Sequence, residues 1–177
     1  MNIYIALFRG INVGGKNILS MKDLVAILKS IGYKDVRTYI QSGNAVFASR
    51  KKLGEKEVSG IRREILRRAG FEPKLVLLSV EQFRKAIEDN PFGTHNGKVL
   101  HFFFLESYPE QPDIGRLEAL KNSSEKFKLN ESVLYLYAPD GVGRSKLAAA
   151  VEKSVGVSAT ARNWNTVSKL AALAGME

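Results

Sequence analysis

The chain has 177 residues, of which 45% are hydrophobic and 25% are charged, and it contains no cysteine. These values are ordinary for a globular protein of one domain or two small ones, and they exclude disulfide scaffolds, thiolate nucleophiles and cysteine metal sites. The net charge is +9 and lies wholly in the first half: residues 1–88 hold 17 Lys or Arg against 8 Asp or Glu, whereas residues 89–177 hold 10 of each. A basic surface attracts polyanions such as nucleic acids, but it also serves solubility, and composition does not choose between the two.

The first half of the chain predicts the element order β-α-β-β-α-β, followed by one more helix. Short apolar runs rich in β-forming residues predict strands at 2–10, 35–41, 44–49 and 72–79. Apolar residues at helical spacing predict helices that begin after Ser20, at Glu55 and after Ser79, and that end at Gly32, Ala69 and Ile87. Ser42-Gly43 predicts a tight hairpin between the second and third strands.

The second half repeats this order. Strands are predicted at 98–106, 125–129, 132–138 and 157–161, and helices at 113–120, after Ser145 and at 165–174, with Asn165 as the N-cap of the last one. The repeated order predicts an α+β fold, a tandem duplication of a ferredoxin-like βαββαβ unit, each followed by an extra helix and each built on an antiparallel sheet. We expect domains at 1–90 and 98–177, with 91–97 as the junction.

The start of the chain predicts neither a leader nor a membrane segment. Its apolar stretch covers only about six residues and lacks a basic flank, so it predicts a strand and not a signal peptide. No apolar run approaches the roughly 18 residues that span a bilayer. Together with the absence of cysteine, these features favour a cytoplasmic protein without a membrane partner.

The segment RGINVGGKN, Arg9–Asn17, nearly matches the phosphate-binding loop pattern G-x-x-x-x-G-K-[ST]. In that loop the glycine-rich backbone runs directly into a helix and the final hydroxyl binds magnesium. Here Asn17 replaces the hydroxyl, the helix starts only at Ser20, and the predicted sheet is antiparallel. We therefore expect no nucleotide-hydrolysis loop. Arg9, Asn12 and Lys16 remain candidate ligand-binding residues, and the alternative is a glycine turn in which Asn12 only bonds the backbone.

Three further polar clusters are candidates. The first hairpin carries Tyr39, Gln41, Ser42 and Asn44; the second half carries DGVGRSKL with Arg144 and Lys146, and TARNWNT with Arg162, Asn163 and Trp164. Basic residues beside the free amides of a helix start suit an anion, and a Trp among polar residues suits stacking on a base. Each cluster also has a structural explanation, namely a capped helix after a turn, or an indole ring that fills a gap.

The first strand, IYIALF, resembles the corresponding motif of RNA-recognition modules, with Tyr4 at the base-stacking position. The neighbouring strand has Asn44 and Val46 where those modules carry aromatic residues, which weakens the RNA-module interpretation. Catalytic signals are sparse. His95 and His101 lack predicted ligand or triad partners, no spacing suggests a metal site, and Lys16, Lys146 and Tyr39 are acid–base candidates only through the loops they occupy.

Four stretches, ALFRGINVGGKNILSM, VRTYIQSGNAVF, GVGRSKL and TARNWNTVSKL, together resemble the domain of unknown function 1697 (DUF1697) family of bacterial cytoplasmic proteins. The resemblance spans nearly the full chain and implies a duplicated α+β, ferredoxin-like fold. It implies no established reaction, substrate or cofactor, and we expect no cofactor. The motif positions that it identifies are Arg9, Gly10, Asn12, Gly14, Lys16, Tyr39, Gln41, Ser42, Gly43, Asn44, Gly143, Arg144, Lys146, Arg162, Asn163 and Trp164.

We hypothesise that polar residues of the four segments meet in one basic site for a phosphate-bearing ligand, either an anionic small molecule or nucleic acid. Basic side chains would neutralise phosphate, amides would read polar edges, and Tyr39 or Trp164 would stack. The alternatives are an enzyme acting on a small phosphorylated or carboxylated metabolite, and a non-catalytic, partner-binding scaffold protein. The ligand-binding candidates are Arg9, Asn12, Lys16, Tyr39, Gln41, Ser42, Asn44, Arg144, Lys146, Arg162, Asn163 and Trp164.

Overall fold

Strands and helices alternate along the chain in an order that occurs twice. In the computed structural model, which describes residues 1–176, the first run is β1 Asn2–Arg9, α1 Met21–Ser30, β2 Lys34–Tyr39, β3 Asn44–Ser49, α2 Glu55–Ala69, β4 Lys74–Ser79 and α3 Val80–Glu88. The second run is β5 Leu100–Leu105, α4 Ile114–Leu120, β6 Lys126–Asn130, β7 Val133–Tyr137, α5 Lys146–Val155, β8 Ala159–Asn163 and α6 Trp164–Leu173. A 3-10 turn at Val142–Arg144 precedes α5. The described residues thus form an α+β protein with two four-stranded antiparallel sheets and six α-helices.

The chain divides into two units. The first comprises Met1–Lys85 and the residues from Lys169 onward, and the second comprises Ala86–Ser168. The segment 91–97, predicted as a junction, lies inside the second unit. The predicted limits of two ferredoxin-like subdomains, 1–90 and 98–177, stay a prediction.

The sheet of the first unit has the strand order β2-β3-β1-β4. β1 is apolar on both faces, as a central strand requires, because Ile5 and Leu7 are as fully buried as Ala6 and Phe8. α1 and α2 cover the face that carries Ala6 and Phe8. α1 starts where its sequence predicts, since the Ser20 hydroxyl accepts a hydrogen bond of 3.0 Å from the Asp23 amide.

The sheet of the second unit has the corresponding order β6-β7-β5-β8. α4 and α5 cover one face of it, where Phe103 and Leu105 of β5 pack with Leu147 and Val151 of α5. The predicted cap of α5 is confirmed, because the Ser145 hydroxyl accepts a 3.0 Å hydrogen bond from the Ala148 amide. In both units the central strands are buried on both faces, as the continuous apolar runs β3 Asn44–Ser49 and β5 Leu100–Leu105 show.

Several predicted boundaries differ from those of the structure, and three of them involve the candidate segments. β2 ends at Tyr39 and not at Gln41, because Ile40 adopts a left-handed backbone conformation with φ of 49°. β8 covers 159–163 and not 157–161. α6 starts at Trp164, because the side-chain oxygen of Asn163 accepts a 3.0 Å hydrogen bond from the Thr166 amide. Asn163 is therefore the residue that caps α6. The prediction of Asn165 was wrong.

Tyr4 does not occupy a base-stacking surface. Its side chain is 6% exposed and belongs to the core beneath α1 and α2. Its hydroxyl accepts a hydrogen bond of 2.9 Å from the Leu53 amide. The RNA-module interpretation required Tyr4 on the open face of the sheet, so that part of it is wrong. None of the helices formed by residues 1–176 combines the length and the apolar character that crossing a membrane requires.

Candidate functional site

Two segments far apart in sequence meet at one end of the first sheet. β1 ends at Arg9 and β3 begins at Asn44, and these antiparallel neighbours pair Leu7 with Asn44. The backbone amide of Phe8 donates a 2.8 Å hydrogen bond to the carbonyl of Gly43. The glycine-rich loop after β1 and the turn before β3 therefore lie side by side.

Residues 10–18 form a short two-stranded projection that we call the finger. Its two sides are joined by the Asn12 amide, which donates to the Asn17 carbonyl at 3.0 Å, and by the Lys16 amide, which donates to the Val13 carbonyl at 3.1 Å. Gly14 and Gly15 form the tip with φ values of 59° and 72°. Two consecutive positive φ values are typical of a type I′ hairpin turn, which is why two glycines stand there. The segment is thus a hairpin, and α1 starts only after it.

Asn12 fastens the finger to the turn at 40–43. Its side-chain nitrogen donates to the carbonyls of Leu19 at 2.7 Å and Gln41 at 2.9 Å, and its side-chain oxygen accepts from the Leu19 amide at 2.8 Å. Both donor hydrogens of the amide are therefore used inside the protein. The role that this geometry supports for Asn12 is to position the finger.

The turn at 40–43 is organised by a buried amide. Asn44 is 0% exposed, and its side-chain nitrogen donates to the Tyr39 carbonyl at 3.0 Å and to the Ser42 hydroxyl at 3.2 Å. Tyr39 is half-buried, whereas Gln41 and Ser42 are exposed. Of these four candidates, Gln41 and Ser42 are therefore the most accessible to a ligand.

Two cations stand opposite each other beside the finger. Arg9, the last residue of β1, pairs with Lys74, the first residue of β4, and both side chains are exposed. Lys16 lies next to the tip of the finger and is exposed as well. We call this region, made of Arg9, Lys74, the finger and the turn at 40–43, the basic end.

The second unit also gathers its candidates at one end of its sheet. Leu100 at the start of β5 pairs with Tyr137 at the end of β7, and His101 pairs with Asn163 at the end of β8. The Ala138 amide donates to the Val99 carbonyl at 2.8 Å, so the loop that leads to α5 leaves the sheet at this same end. Arg144 and Lys146 in this region are exposed.

Arg162, Asn163 and Trp164 are more enclosed. The Arg162 guanidinium donates to the Ala161 carbonyl at 2.8 Å, and burial lowers the pKa of Arg162 to about 10, which still leaves it charged at neutral pH. Asn163 caps α6. The Trp164 ring lies 5.8 Å from the Phe102 ring, centroid to centroid, and is half-buried. Asn163 and Trp164 therefore have structural roles here, and ligand binding by them stays a prediction.

The twelve candidates divide between the units, with seven in the first and five in the second. Within each unit the candidates lie at one end of the sheet. The first group comprises Arg9, Asn12, Lys16, Tyr39, Gln41, Ser42 and Asn44; the second comprises Arg144, Lys146, Arg162, Asn163 and Trp164.

Comparison with known proteins identifies the family. A family model described as "Protein of unknown function (DUF1697)" matches residues 1–135. The chain belongs to the DUF1697 family. Two of the four stretches that resemble the family, GVGRSKL and TARNWNTVSKL, follow the matched range. No curated protein is similar enough to this DUF1697 member to count as a relative.

A solved structure resembles this DUF1697 member over its whole length. It is that of the conserved bacterial protein SP0830 from Streptococcus pneumoniae, with a TM-score of 0.73 and 24% sequence identity over 98% of each chain. At that level of identity the likeness extends to the fold alone. Neither comparison names a ligand or a reaction.

The sequence did not single out three members of the basic end. Lys74 becomes a partner of Arg9 only through the pairing of β1 with β4, which local patterns do not reveal. Val13 and Ile18 are 64% and 66% exposed on the finger. The sequence feature that could have identified Val13 and Ile18 is the presence of two aliphatic residues in an otherwise polar, glycine-rich stretch.

Metal and acid–base groups are few in the part of the DUF1697 chain that the structure describes. No group of three or more His, Asp or Glu side chains within residues 1–176 is arranged to hold a metal ion. His101 is 8% exposed within β5, and burial lowers its pKa below the usual 6.5. Its Nδ1 has no hydrogen-bond partner among residues 1–176. A buried, neutral imidazole surrounded by core residues suits packing better than proton transfer to a ligand.

Proposed function

We propose that the protein binds a phosphate-bearing polyanion, a nucleic acid, at the basic end of its first unit. The charge distribution carries this proposal. Residues 1–85 hold 17 Lys or Arg against 7 Asp or Glu, a net charge of +10, whereas residues 86–168 hold 9 against 10, a net charge of −1. Such an imbalance steers polyanions to one unit and supplies the charge that neutralises phosphates.

The pairing of Arg9 with Lys74 supports the same region as the contact surface. Both cations are exposed at the same end of the sheet, so a phosphate bound there would be contacted by both. Lys16, which is exposed next to the tip of the finger, is a third cation of the basic end.

The rigidity of the basic end also favours binding. The finger and the turn at 40–43 are tied together by the hydrogen bonds of Asn12. A surface that is already ordered loses little conformational entropy when it binds a ligand. Gly14 and Gly15 leave the backbone at the tip open to close approach, because no side chain shields it.

Two further predictions from the sequence, on the fold and on the location of the protein, are part of this proposal. We propose that the two units are ferredoxin-like and arose by duplication, since the two sheets have corresponding strand orders. We also propose a cytoplasmic location, where nucleic acids are accessible. The alternatives remain an enzyme acting on a small phosphorylated or carboxylated metabolite, for which Arg144 and Lys146 would be the anion-binding residues, and a partner-binding scaffold.

Salt-dependent binding tests the proposal. We would measure binding to labelled duplex and single-stranded nucleic acids by fluorescence anisotropy between about 50 and 200 mM salt, where each phosphate contact on a duplex contributes a slope of about 0.9. The variant Arg9→Gln/Lys74→Gln should lose two contacts, and its slope should fall by about 2. The matched control, Lys126→Gln/Lys128→Gln, removes two exposed charges of the second unit and should leave the slope unchanged.

Three outcomes of these experiments would contradict the proposal. An equal effect of both double variants would mean that net charge and not the basic end governs binding. Absence of any salt-dependent binding would reject the proposal. A rise in melting temperature with phosphorylated or carboxylated metabolites, abolished by Arg144→Gln/Lys146→Gln, would favour a small-metabolite site in the second unit in its place.

A further inference from the structure

The basic end exposes aliphatic side chains among its cations. Val13 and Ile18 on the finger and Ile40 in the neighbouring turn are 64%, 66% and 50% exposed. They account for three of the eight large apolar side chains that are exposed within residues 1–176. Single exposed apolar residues are ordinary, but three of them beside a basic hairpin form a mixed surface that needs an explanation.

The finger is narrow and firmly held. Only two glycines form its tip, and the backbone hydrogen bonds from Asn12 to Asn17 and from Lys16 to Val13 close its two sides. At its base the Asn17 side chain donates to the Gly10 carbonyl at 2.9 Å. Two-stranded ribbons fit the major groove of undistorted DNA, and they enter the minor groove where inserted apolar side chains kink the duplex.

Backbone strain is concentrated here as well. Asn12, Asn17 and Ile40 have φ values of 54°, 51° and 49°, and they are three of the five non-glycine residues with positive φ within residues 1–176. For a β-branched residue such as Ile40 this conformation is a genuine outlier. Strain of this kind tends to occur at ligand-binding sites, where the surrounding structure holds it in place.

We propose that the finger enters the minor groove of double-stranded DNA and that Val13 is an apolar wedge at a base-pair step. This inference rests on the proposed function and names its partner. Aliphatic side chains inserted between base steps unstack and kink a duplex, while basic residues beside them hold the flanking phosphates. Lys16 on the finger, with Arg9 and Lys74 at its base, is placed to make those phosphate contacts.

Duplex DNA fits this surface better than single strands. Proteins that hold single strands stack the bases on aromatic side chains. At the basic end the exposed apolar groups are aliphatic, whereas Tyr39 is half-buried and Tyr4 lies in the core. Duplex RNA fits less well, because its minor groove is wide and shallow and offers a narrow finger few walls to contact.

A fluorescent base analogue tests the wedge. A DNA duplex of about three helical turns that carries 2-aminopurine at successive steps should brighten when the protein binds, because the analogue is quenched while stacked. Val13→Ser should abolish the brightening and weaken binding by about fivefold, the value of burying part of a Val side chain, with the salt slope unchanged. Tyr108→Ser, which alters a side chain that is 70% exposed in the second unit, is the matched control and should change neither signal.

The outcomes separate this inference from the function on which it rests. Salt-dependent duplex binding without brightening, or brightening that survives in Val13→Ser, overturns the wedge and leaves the binding proposal intact. Tighter binding to single strands or to duplex RNA overturns the choice of partner. Failure to bind any nucleic acid overturns both proposals, and binding instead to vesicles that contain anionic phospholipid would assign the aliphatic side chains to a membrane surface.

Discussion

The side-chain amide of Asn12 donates a 2.9 Å hydrogen bond to the backbone carbonyl of Gln41 and so joins two loops that lie 29 residues apart in sequence. This bond, with the two that Asn12 makes to Leu19, fixes the finger against the first sheet. Asn12 thus holds the finger in place together with the buried side chain of Ile11. We expect any function of the basic end to depend on these contacts.

Asn12→Ala should lower the free energy of unfolding by about 1–2 kcal/mol, because it leaves the Leu19 and Gln41 backbone groups without a partner. Urea denaturation followed by circular dichroism measures this change. Gln41→Ala is the matched control, since Gln41 accepts the bond through its backbone and keeps it. Equal stability of Asn12→Ala and the unaltered protein would contradict the positioning role.

Gly43→Ala should be more damaging, with a loss of about 2–4 kcal/mol. Gly43 has a φ of 83°, and a Cβ there would lie 2.8 Å from the Cβ of Phe8, a fully buried residue of β1. Gly15→Ala is the comparison, because Gly15 also has positive φ but faces open space. It should cost about 1 kcal/mol from backbone strain alone. Similar melting temperatures for the two variants would mean that the contact with Phe8 relaxes freely.

Ile40→Asn should stabilise the protein, because Asn tolerates the left-handed conformation better than a β-branched residue does. We expect a gain of about 0.5–1 kcal/mol and a rise in Tm of about 2 °C. Ile18→Asn removes an isoleucine that is also exposed but has no positive φ, so its Tm should stay unchanged. A variant that gains stability and loses DNA affinity would indicate that strain at Ile40 is retained for binding. A fall in the Tm of Ile40→Asn would contradict the strain assignment.

Stability should fall as the pH drops below 7, in part through His101. Burial lowers its pKa in the folded state below the usual 6.5, so the unfolded chain binds a proton first as the pH falls. Stability is therefore lost between a pH near 6.5 and the lower folded-state pKa, and above that window the contribution is constant. His101→Leu should flatten the pH dependence measured by urea denaturation between about pH 7.5 and pH 5. An unaltered dependence would mean that other groups cause it.

The sequence predicted elements well where the signal was local. α2 spans Glu55–Ala69 as predicted, because Ile61 and Ile65 recur at helical spacing and Gly70, with φ of 80°, ends the helix. β3 also matches its predicted range of Asn44–Ser49. The residues that begin and end both elements lie within or next to the segment itself, so the local sequence was sufficient to predict their limits.

The site was harder to predict because it depends on non-local pairing. Asn163 and Asn165 are both good caps, and only the structure determines that Asn163 receives the Thr166 amide. Arg9 and Lys74 are 65 residues apart in the numbering, and the register of two antiparallel strands brings them opposite each other. A slip of one residue would have placed them on opposite faces of the sheet, and no local pattern specifies that register.

Trp164 is the only tryptophan of the chain, and its ring packs beside Phe102 inside the second unit. Its intrinsic emission is therefore a built-in optical label for that unit, whereas far-ultraviolet circular dichroism averages over both. Heating or denaturant curves recorded with the two signals will coincide when the units melt as one cooperative block and will separate when they melt in turn. The placement of a single indole thus makes the cooperativity of the whole chain measurable without any added dye.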